Sequence, residues 1–477
     1  MGRGLELCWL LLGRMTAVLA VALLLPALQA AMHQQLVYPF LLPAFGAAIL
    51  AAMFMAMGRE HARQLNLREG TYFMVGVWPV LGLIGSMPWL LTGATDDALR
   101  ALFESLSALT TTGLYCLPEG VGAPELLLWR SLLSWLGGLV FIVVLVTVLP
   151  QVSGCFGLTL SARQSIFFSP VWHKMDESIW QGTSVYFVLT LVVAGLFYLA
   201  GLDGFAALVQ ALTSISAGGS AVDPVFLRVD APQLELAGEL AMFLASLNLL
   251  LCWKAWQRRS LRLIWQDTEL RTYLGLLLGA GLLVSLHLWQ GEYYGLGASL
   301  RVGFFHVLSF ASTSGFLAAD IAHWPDFDRY VLFLLAFVGG CIGSVTGGLK
   351  VVRFLVLRRM MTAEFRRTLH PRLIVSVKMD GLPVSMKIVG RILSFFFLYM
   401  LVFMAFALVL TLAGLDLMPA MGLAAGCLTS VGTTATLCGV PALTWLPDWA
   451  LAVAALLMLL GRVEIFSFLL LIRLSKR

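Results

Sequence analysis

Charge is scarce in this sequence. Only 12% of its 477 residues are Asp, Glu, Lys or Arg, while 60% are hydrophobic and the mean hydropathy is +0.91. A soluble chain of this length needs far more charge to keep its surface wet. Paired cysteines are lacking as well. The seven present have no CxxC spacing and lie mostly in apolar runs, where a thiol behaves as a small hydrophobe. Neither a disulfide framework nor a zinc site is indicated. The seven histidines are dispersed, and no HExxH, DDxxD or paired-carboxylate motif occurs. A polytopic membrane enzyme acting on a lipid or isoprenoid requires such clusters for metal or acid–base chemistry. That remote alternative therefore lacks a site, and the chain reads as a protein that is not an enzyme.

What the chain has in abundance is apolar length. Runs of about 20 residues recur from end to end, enough to cross a hydrocarbon core roughly 30 Å thick. This predicts an all-α polytopic membrane protein whose surroundings are a lipid bilayer. The first 30 residues resemble a signal peptide, but Arg14 interrupts the run and a second apolar segment follows at once, so a retained helix is expected. The net charge of +5 does not point to nucleic acid, because the basic residues cluster in alternate loops. Arg59, Arg63 and Arg68 form one group, Lys254, Arg258 and Arg259 another, and Lys350, Arg353, Arg358, Arg359, Arg366, Arg367 and Arg372 the richest. The intervening loops are acidic, with Asp96, Asp97, Glu119, Asp223, Asp230, Asp320, Asp326, Asp328 and Asp448. That alternation is the positive-inside pattern. It predicts cytoplasmic termini, marked by Arg3 at one end and Arg473, Lys476 and Arg477 at the other. Trp89, Trp172, Trp180, Trp324 and Trp449 near span ends read as interfacial anchors.

A fourfold repeat organises the rest. SALTTTGL at Ser107 has relatives in SISAGGSA at Ser214, ASTSGFLA at Ala311 and TSVGTTAT at Thr429, each carrying a glycine: Gly113, Gly219, Gly315 and Gly432. Each motif follows a partly polar segment too short to span a bilayer: Asp97–Ala108, Gly204–Thr213, Ala298–Phe310 and Pro419–Leu428. Full apolar spans flank each one, near 71–92 and 126–149, 181–201 and 233–253, 272–290 and 328–357, and 388–413 and 446–472. Two leading helices, near 8–31 and 36–57, complete the plan. The expected divisions are 1–69 for the leading pair, then repeats at 70–177, 178–270, 271–387 and 388–477. The fold predicted is four span–pore-loop–span repeats around a central pore, preceded by two extra transmembrane helices.

Non-helical backbone at membrane depth survives only where protein buries it or where it lines water. Four such loops meeting on one axis satisfy that condition together. Their inward carbonyls can replace the hydration shell of a monovalent cation, and the C-terminal ends of the short helices favour positive charge. A single TTTG is no more than a small-residue loop; four, each in the same context, specify a ring.

On these motifs the chain resembles the Trk/Ktr/HKT superfamily of potassium transporters, most closely the bacterial TrkH type. Further support comes from Trp129-Arg130-Ser131 with Trp135-Leu136-Gly137-Gly138, from the run Gly339 to Lys350, and from Leu460 to Phe466. The resemblance implies uptake of K⁺ as transported ion across the bacterial cytoplasmic (inner) membrane, with no organic cofactor on this chain. It puts ion-coordinating backbone at Thr111, Thr112 and Gly113; Ala217, Gly218 and Gly219; Thr313, Ser314 and Gly315; and Ser430, Val431 and Gly432. The four glycines imply potassium preference, since relatives with serine at the first tend toward sodium. Two loops depart from the pattern: Ala-Gly-Gly-Ser stands for Thr-Gly-Gly-Phe in the second, and Ser-Val-Gly-Thr-Thr for Asn-Leu-Gly-Pro-Gly in the fourth. A less selective or sodium-preferring conductor is therefore the alternative. The resemblance also implies a homodimer and a cytosolic, nucleotide-binding TrkA-type regulatory ring.

Five glycines between 339 and 348 predict a break in the third repeat's second span, because glycine costs about 1 kcal/mol per helical position. Gly343 and Gly348 bracket four residues as in a phosphate-binding loop, but Lys350 comes one residue late and no strand precedes it. A gating flap containing Gly343, Ser344, Thr346, Gly347, Gly348 and Lys350 is expected instead, with close helix packing through small residues as the alternative. Arg462 and Glu464 are charges inside the last span; the resemblance implies that Arg462 faces the pore as an electrostatic barrier, the alternative being that the two reach the cytoplasmic interface or neutralise nearby groups. Arg130, near the start of its span, reads as interfacial. His306 on the third short helix reads as packed and hydrogen-bonded, with a pH sensor as the alternative.

Overall fold

The computed structural model describes residues 5–58, 67–117, 123–147, 172–219, 226, 231–260, 262–370, 378–379, 382–440, 442–463 and 465–474. Arg3, Arg59, Arg63, Glu119, Asp223, Asp230, Arg372, Glu464, Lys476, Arg477 and the side chains of Trp172 and Arg473 lie outside the described residues. The fold is helical throughout, and the sole strand pairing among the described residues joins Lys378–Met379 to Leu382–Pro383. Among the described residues, seven helices are long and apolar enough to cross a membrane, or eight with one bent pair counted as a span. They include the leading pair, Glu6–Met32 (turned slightly at Leu23) and Tyr38–Met57.

Four short helices stand between the spans where the repeat predicts them: Ala98–Leu109, Gly204–Ile215, Leu296–Ala311 and Leu417–Thr429. Their starts are written in the sequence. Asp97 accepts from the Leu99 N–H at 2.8 Å, and Asp203 accepts from Phe205 and Ala206 at 3.2 and 3.3 Å. Such caps satisfy amides that a helix start leaves open. The spans preceding these helices run Leu67–Leu91, Trp172–Leu199, Thr268–Gln290 and Met386–Thr411.

The spans that follow them differ. The first, Pro124–Thr147, is continuous and almost wholly buried, which places it at the centre of the bundle. The second was expected as one helix over 233–253 and is instead two, Pro232–Ala245 and Leu249–Gln257, bent by 91°. Asn248 causes the restart: its Oδ1 accepts from Leu250 and Leu251, each at 3.1 Å, so a polar cap outcompetes helix continuation. The third breaks as predicted, into Asp326–Ala336 and Val351–Leu369. The fourth runs Asp448–Val463, with Ile465–Leu474 beyond it. Of the tryptophans, Trp180 and Trp449 are exposed, but Trp89 and Trp324 are buried core residues rather than surface anchors.

Close approach between these helices depends on two glycines. A Cβ on Gly137 would lie 1.8 Å from the Leu109 carbonyl oxygen, and one on Gly461 would lie 2.2 Å from that of Leu428. Both carbonyls sit four residues before a repeat glycine, so two quarters pack their short helix by the same rule. Gly137→Ala and Gly461→Ala should each destabilise the protein by about 1–3 kcal/mol, read as a lowered melting temperature in detergent. Gly275→Ala, whose Cβ would meet nothing within 4 Å, should leave it unchanged.

Candidate functional site

Each short helix ends in the same way. The residue two before the repeat glycine has a left-handed backbone in all four quarters: Thr111 (φ 58°), Ala217 (φ 55°), Thr313 (φ 58°) and Ser430 (φ 61°). The next amide then bonds back to the carbonyl five residues earlier. These bonds are Thr112 to Ser107 (2.9 Å), Gly218 to Thr213, Ser314 to Ser309 and Val431 to Gly426 (3.0 Å each). This is the helix-ending turn usually built on glycine. A side chain there costs about 1–2 kcal/mol, and strain of this kind persists only where the surroundings over-determine it. Four non-glycine residues paying that cost in register mark the turns as the site.

Neighbouring turns are joined across repeats. The Gly219 N–H donates to the Ser314 carbonyl at 2.7 Å, and the Gly432 N–H to the Thr112 carbonyl at 2.8 Å. The second quarter is thus pinned to the third, and the fourth to the first. Two of the carbonyls expected to coordinate ions, those of Thr112 and Ser314, therefore already accept one amide each. A carbonyl oxygen has a second lone pair, so this bond fixes its direction without exhausting it.

The ring is twofold within its fourfold plan. In the first and third quarters the repeat glycines are left-handed, Gly113 at φ 78° and Gly315 at φ 72°, and hydroxyls pair alike: Thr110 with Thr112 at 2.9 Å, Ser312 with Ser314 at 3.0 Å. The second and fourth quarters place Gly218 and Val431 where the others carry the Thr112 and Ser314 hydroxyls. The buried Thr111 and Thr433 hydroxyls have no hydrogen-bond partner among the described residues. A buried oxygen left so costs about 1–3 kcal/mol unless a ligand or water completes it.

Behind the first turn lies a charge pair. Glu104, on the first short helix, is ion-paired to Arg130 and accepts from the Cys116 N–H at 2.6 Å, while Arg130 Nη2 donates to the Leu114 carbonyl at 2.7 Å. Arg130 is thus buried against the turn instead of facing outward, as its place near a span end suggested. Glu104 carried no sequence signal of its own. In the third quarter His306 is fully buried: its Nδ1 bonds the Val302 carbonyl at 2.8 Å and its Nε2 accepts from the Ala318 N–H at 3.3 Å. That is the packed histidine reading.

The break in the third repeat's second span, 337–350, folds against the turns. The Gly347 N–H donates to the Thr313 hydroxyl at 2.8 Å, and a Cβ on Gly347 would lie 2.4 Å from the Thr429 carbonyl. Lys350 is buried and donates to the Thr346 carbonyl at 2.7 Å and the Ser344 carbonyl at 3.2 Å, with both hydroxyls at 3.1 Å. Arg462 reaches in from the last repeat, donating from Nη1 to the Val345 carbonyl at 2.9 Å with its guanidinium 4.4 Å from the Phe141 ring. The buried Glu269 accepts from the Ile342 N–H at 2.7 Å. The bend in the second repeat completes the shell: Cys341 N–H bonds the Ser246 carbonyl at 3.0 Å, and Leu249 N–H the Gly343 carbonyl at 3.3 Å. Gly343, Ser344, Thr346, Gly347, Lys350 and Arg462 are therefore brought together, with Gly348 (φ 72°) turning the chain between them. No cluster of three or more His, Cys, Asp or Glu that could hold a metal occurs among the described residues.

Apolar spans around four strained re-entrant turns define a multi-pass membrane transport protein. Residues 42–476 match the TrkH family, described as cation transport proteins, and the chain belongs to that family. It is 31% identical to the Trk system potassium uptake protein TrkH of Halomonas elongata, over 96% of each chain. The corresponding TrkH of Escherichia coli K12 is 30% identical over 90% of this chain and 89% of that one. The crystal structure of the potassium transporter TrkH from Vibrio parahaemolyticus matches with a TM-score of 0.86 at 29% identity, covering 97% of both chains.

The strained turns make a sign-specific prediction. Ala211, mid-helix two turns earlier, should lose about 1 kcal/mol on substitution by glycine, lowering the melting temperature. Ala217→Gly should leave it level or raise it, because the left-handed cost is relieved. A comparable drop in both variants would contradict the geometry.

Proposed function

We propose that this chain is the potassium-conducting subunit of a bacterial uptake system in the cytoplasmic membrane, multi-pass and with both termini inside. The observation that carries this reading is the ring of four left-handed turns at one register, pinned in pairs by Gly219 to Ser314 and Gly432 to Thr112. Twelve residues make the filter: 111–113, 217–219, 313–315 and 430–432. Their carbonyl oxygens, with the Thr111 hydroxyl, replace water around K⁺ as it passes. Ions enter down the electrochemical gradient, to which the membrane potential contributes about 2.3 kcal/mol per 100 mV. The potassium uptake named for the relatives supports the choice of ion.

The loop 337–350 acts as the gate. It lies directly against the third and fourth turns, and Lys350 and Arg462 place two cationic groups on it, which repel a cation leaving the filter. Opening requires the Lys350 contacts to the Ser344 and Thr346 carbonyls to part. A cytosolic nucleotide-binding ring, docking on basic segments such as 351–369, would supply that work, and a homodimer is the assembly expected. Sodium-preferring conduction remains the second reading, favoured by the departures Ala217 and Val431 from the family pattern.

In cells without their own K⁺ uptake, the chain with its regulatory partner should restore Rb⁺ uptake that Na⁺ blocks only weakly. Equal block by Na⁺ would favour the second reading. Gly113→Ser should shift preference toward Na⁺ by about tenfold, equivalent to 1.4 kcal/mol; an unchanged preference would remove Gly113 from the filter. Lys350→Met should raise uptake several-fold without the partner, and unchanged uptake would contradict the gate.

A further inference from the structure

The first and third turns share a feature that the filter reading does not use. Six residues before the repeat glycine, Ser107 Oγ donates to the Leu114 carbonyl at 2.6 Å, and Ser309 Oγ donates to the Phe316 carbonyl at 2.7 Å. Both acceptors lie one residue after the glycine. Nine residues before it, Glu104 accepts from the Cys116 N–H and His306 from the Ala318 N–H, each three residues after the glycine. Two side chains on one short helix thus hold the outgoing backbone at two points, in identical register, with unrelated chemistry: a carboxylate in one quarter and an imidazole in the other.

We propose that these two-point clips set the position of the outer filter backbone, making Glu104 and His306 positioning residues for ion choice. The proposal rests on the potassium-filter reading above. The clips occur where the outgoing chain cannot satisfy its own amides. In the fourth quarter the chain turns at once into the helix Thr433–Leu437, and the position nine before Gly432 is the apolar Leu423. After Gly113 and Gly315 the chain forms neither helix nor strand, so an N–H at the buried exit needs a partner from elsewhere. The partners are held rigidly. Glu104 is locked by Arg130, and the His306 ring is wedged between Phe305 and Trp324, with ring centroids 5.5 and 4.9 Å away. Because His306 accepts from an amide through Nε2, its proton sits on Nδ1 toward the Val302 carbonyl, and the ring works as a neutral acceptor. An acceptor with that reach, not a charge, is what the third clip requires.

The test is Rb⁺ uptake with Na⁺ competition in cells lacking their own K⁺ uptake, corrected for the amount of protein in the membrane. His306→Phe keeps the ring and removes the acceptor. It should raise the KM for Rb⁺ and strengthen Na⁺ block by about three- to tenfold, the range of one lost hydrogen bond. His306→Gln, whose amide oxygen can meet the same N–H, should recover most of the difference. A purely structural role would lower membrane abundance and maximal rate together while leaving KM and Na⁺ block in place. Should His306→Phe fail to reach the membrane, Ser309→Ala, which removes only the other half of the clip, carries the same expectation. Wild-type KM and Na⁺ block in either variant at normal abundance would overturn the proposal. Absence of Rb⁺ uptake by the wild-type chain would instead overturn the potassium reading on which it rests.

Discussion

Every amide and carbonyl that leaves helical geometry at membrane depth must find a partner in the protein or in water that it lines. In this chain that constraint acts at four places at once, where a short helix stops and the backbone turns back. Each stop uses the same bond, from the amide after a left-handed residue to the carbonyl five residues earlier. Threonine, alanine or serine occupies the left-handed position in place of glycine, so the conformation is held by its surroundings and not by local preference. The inter-repeat bonds from Gly219 and Gly432 supply that hold. A set of turns built this way is rigid because no quarter can relax without breaking a bond to its neighbour.

The loop 337–350 meets the same constraint by a different route. Its irregular backbone is satisfied from three repeats: Ser246 and Leu249 at the bend of the second, Glu269 and Thr313 of the third, Arg462 of the fourth. The bend in the second repeat and the break in the third therefore belong together. Each exposes backbone that the other pairs. Lys350 and Arg462 are affordable there because carbonyl oxygens and the face of Phe141 surround them, and a buried charge without such partners is prohibitively costly.

Much of this was legible in the sequence. Span lengths, the fourfold repeat and the caps at Asp97 and Asp203 follow from apolar length and polar punctuation, which act locally. The broken third span was announced by its glycines. The bend at 246–248 was not, because Asn248 is a short polar interruption in a mostly apolar run and its role appears only when the loop 337–350 is laid beside it. Glu104 was invisible for the same reason: its partners, the amides of Cys116 and Leu117 and the guanidinium of Arg130, are set by how the turn folds back. The twofold character of the ring was hinted at by the unusual second and fourth motifs. Its physical form, a pinned pair of glycine amides, required the packing of one repeat on the next.

On the proposed reading, all four turns surround one ion path. Anomalous diffraction from crystals grown in Rb⁺ addresses it most directly. Rb⁺ density is expected on a single axis, ringed by backbone from 111–113, 217–219, 313–315 and 430–432 together. Density bounded by only two of the turns, or none on that axis, would contradict it.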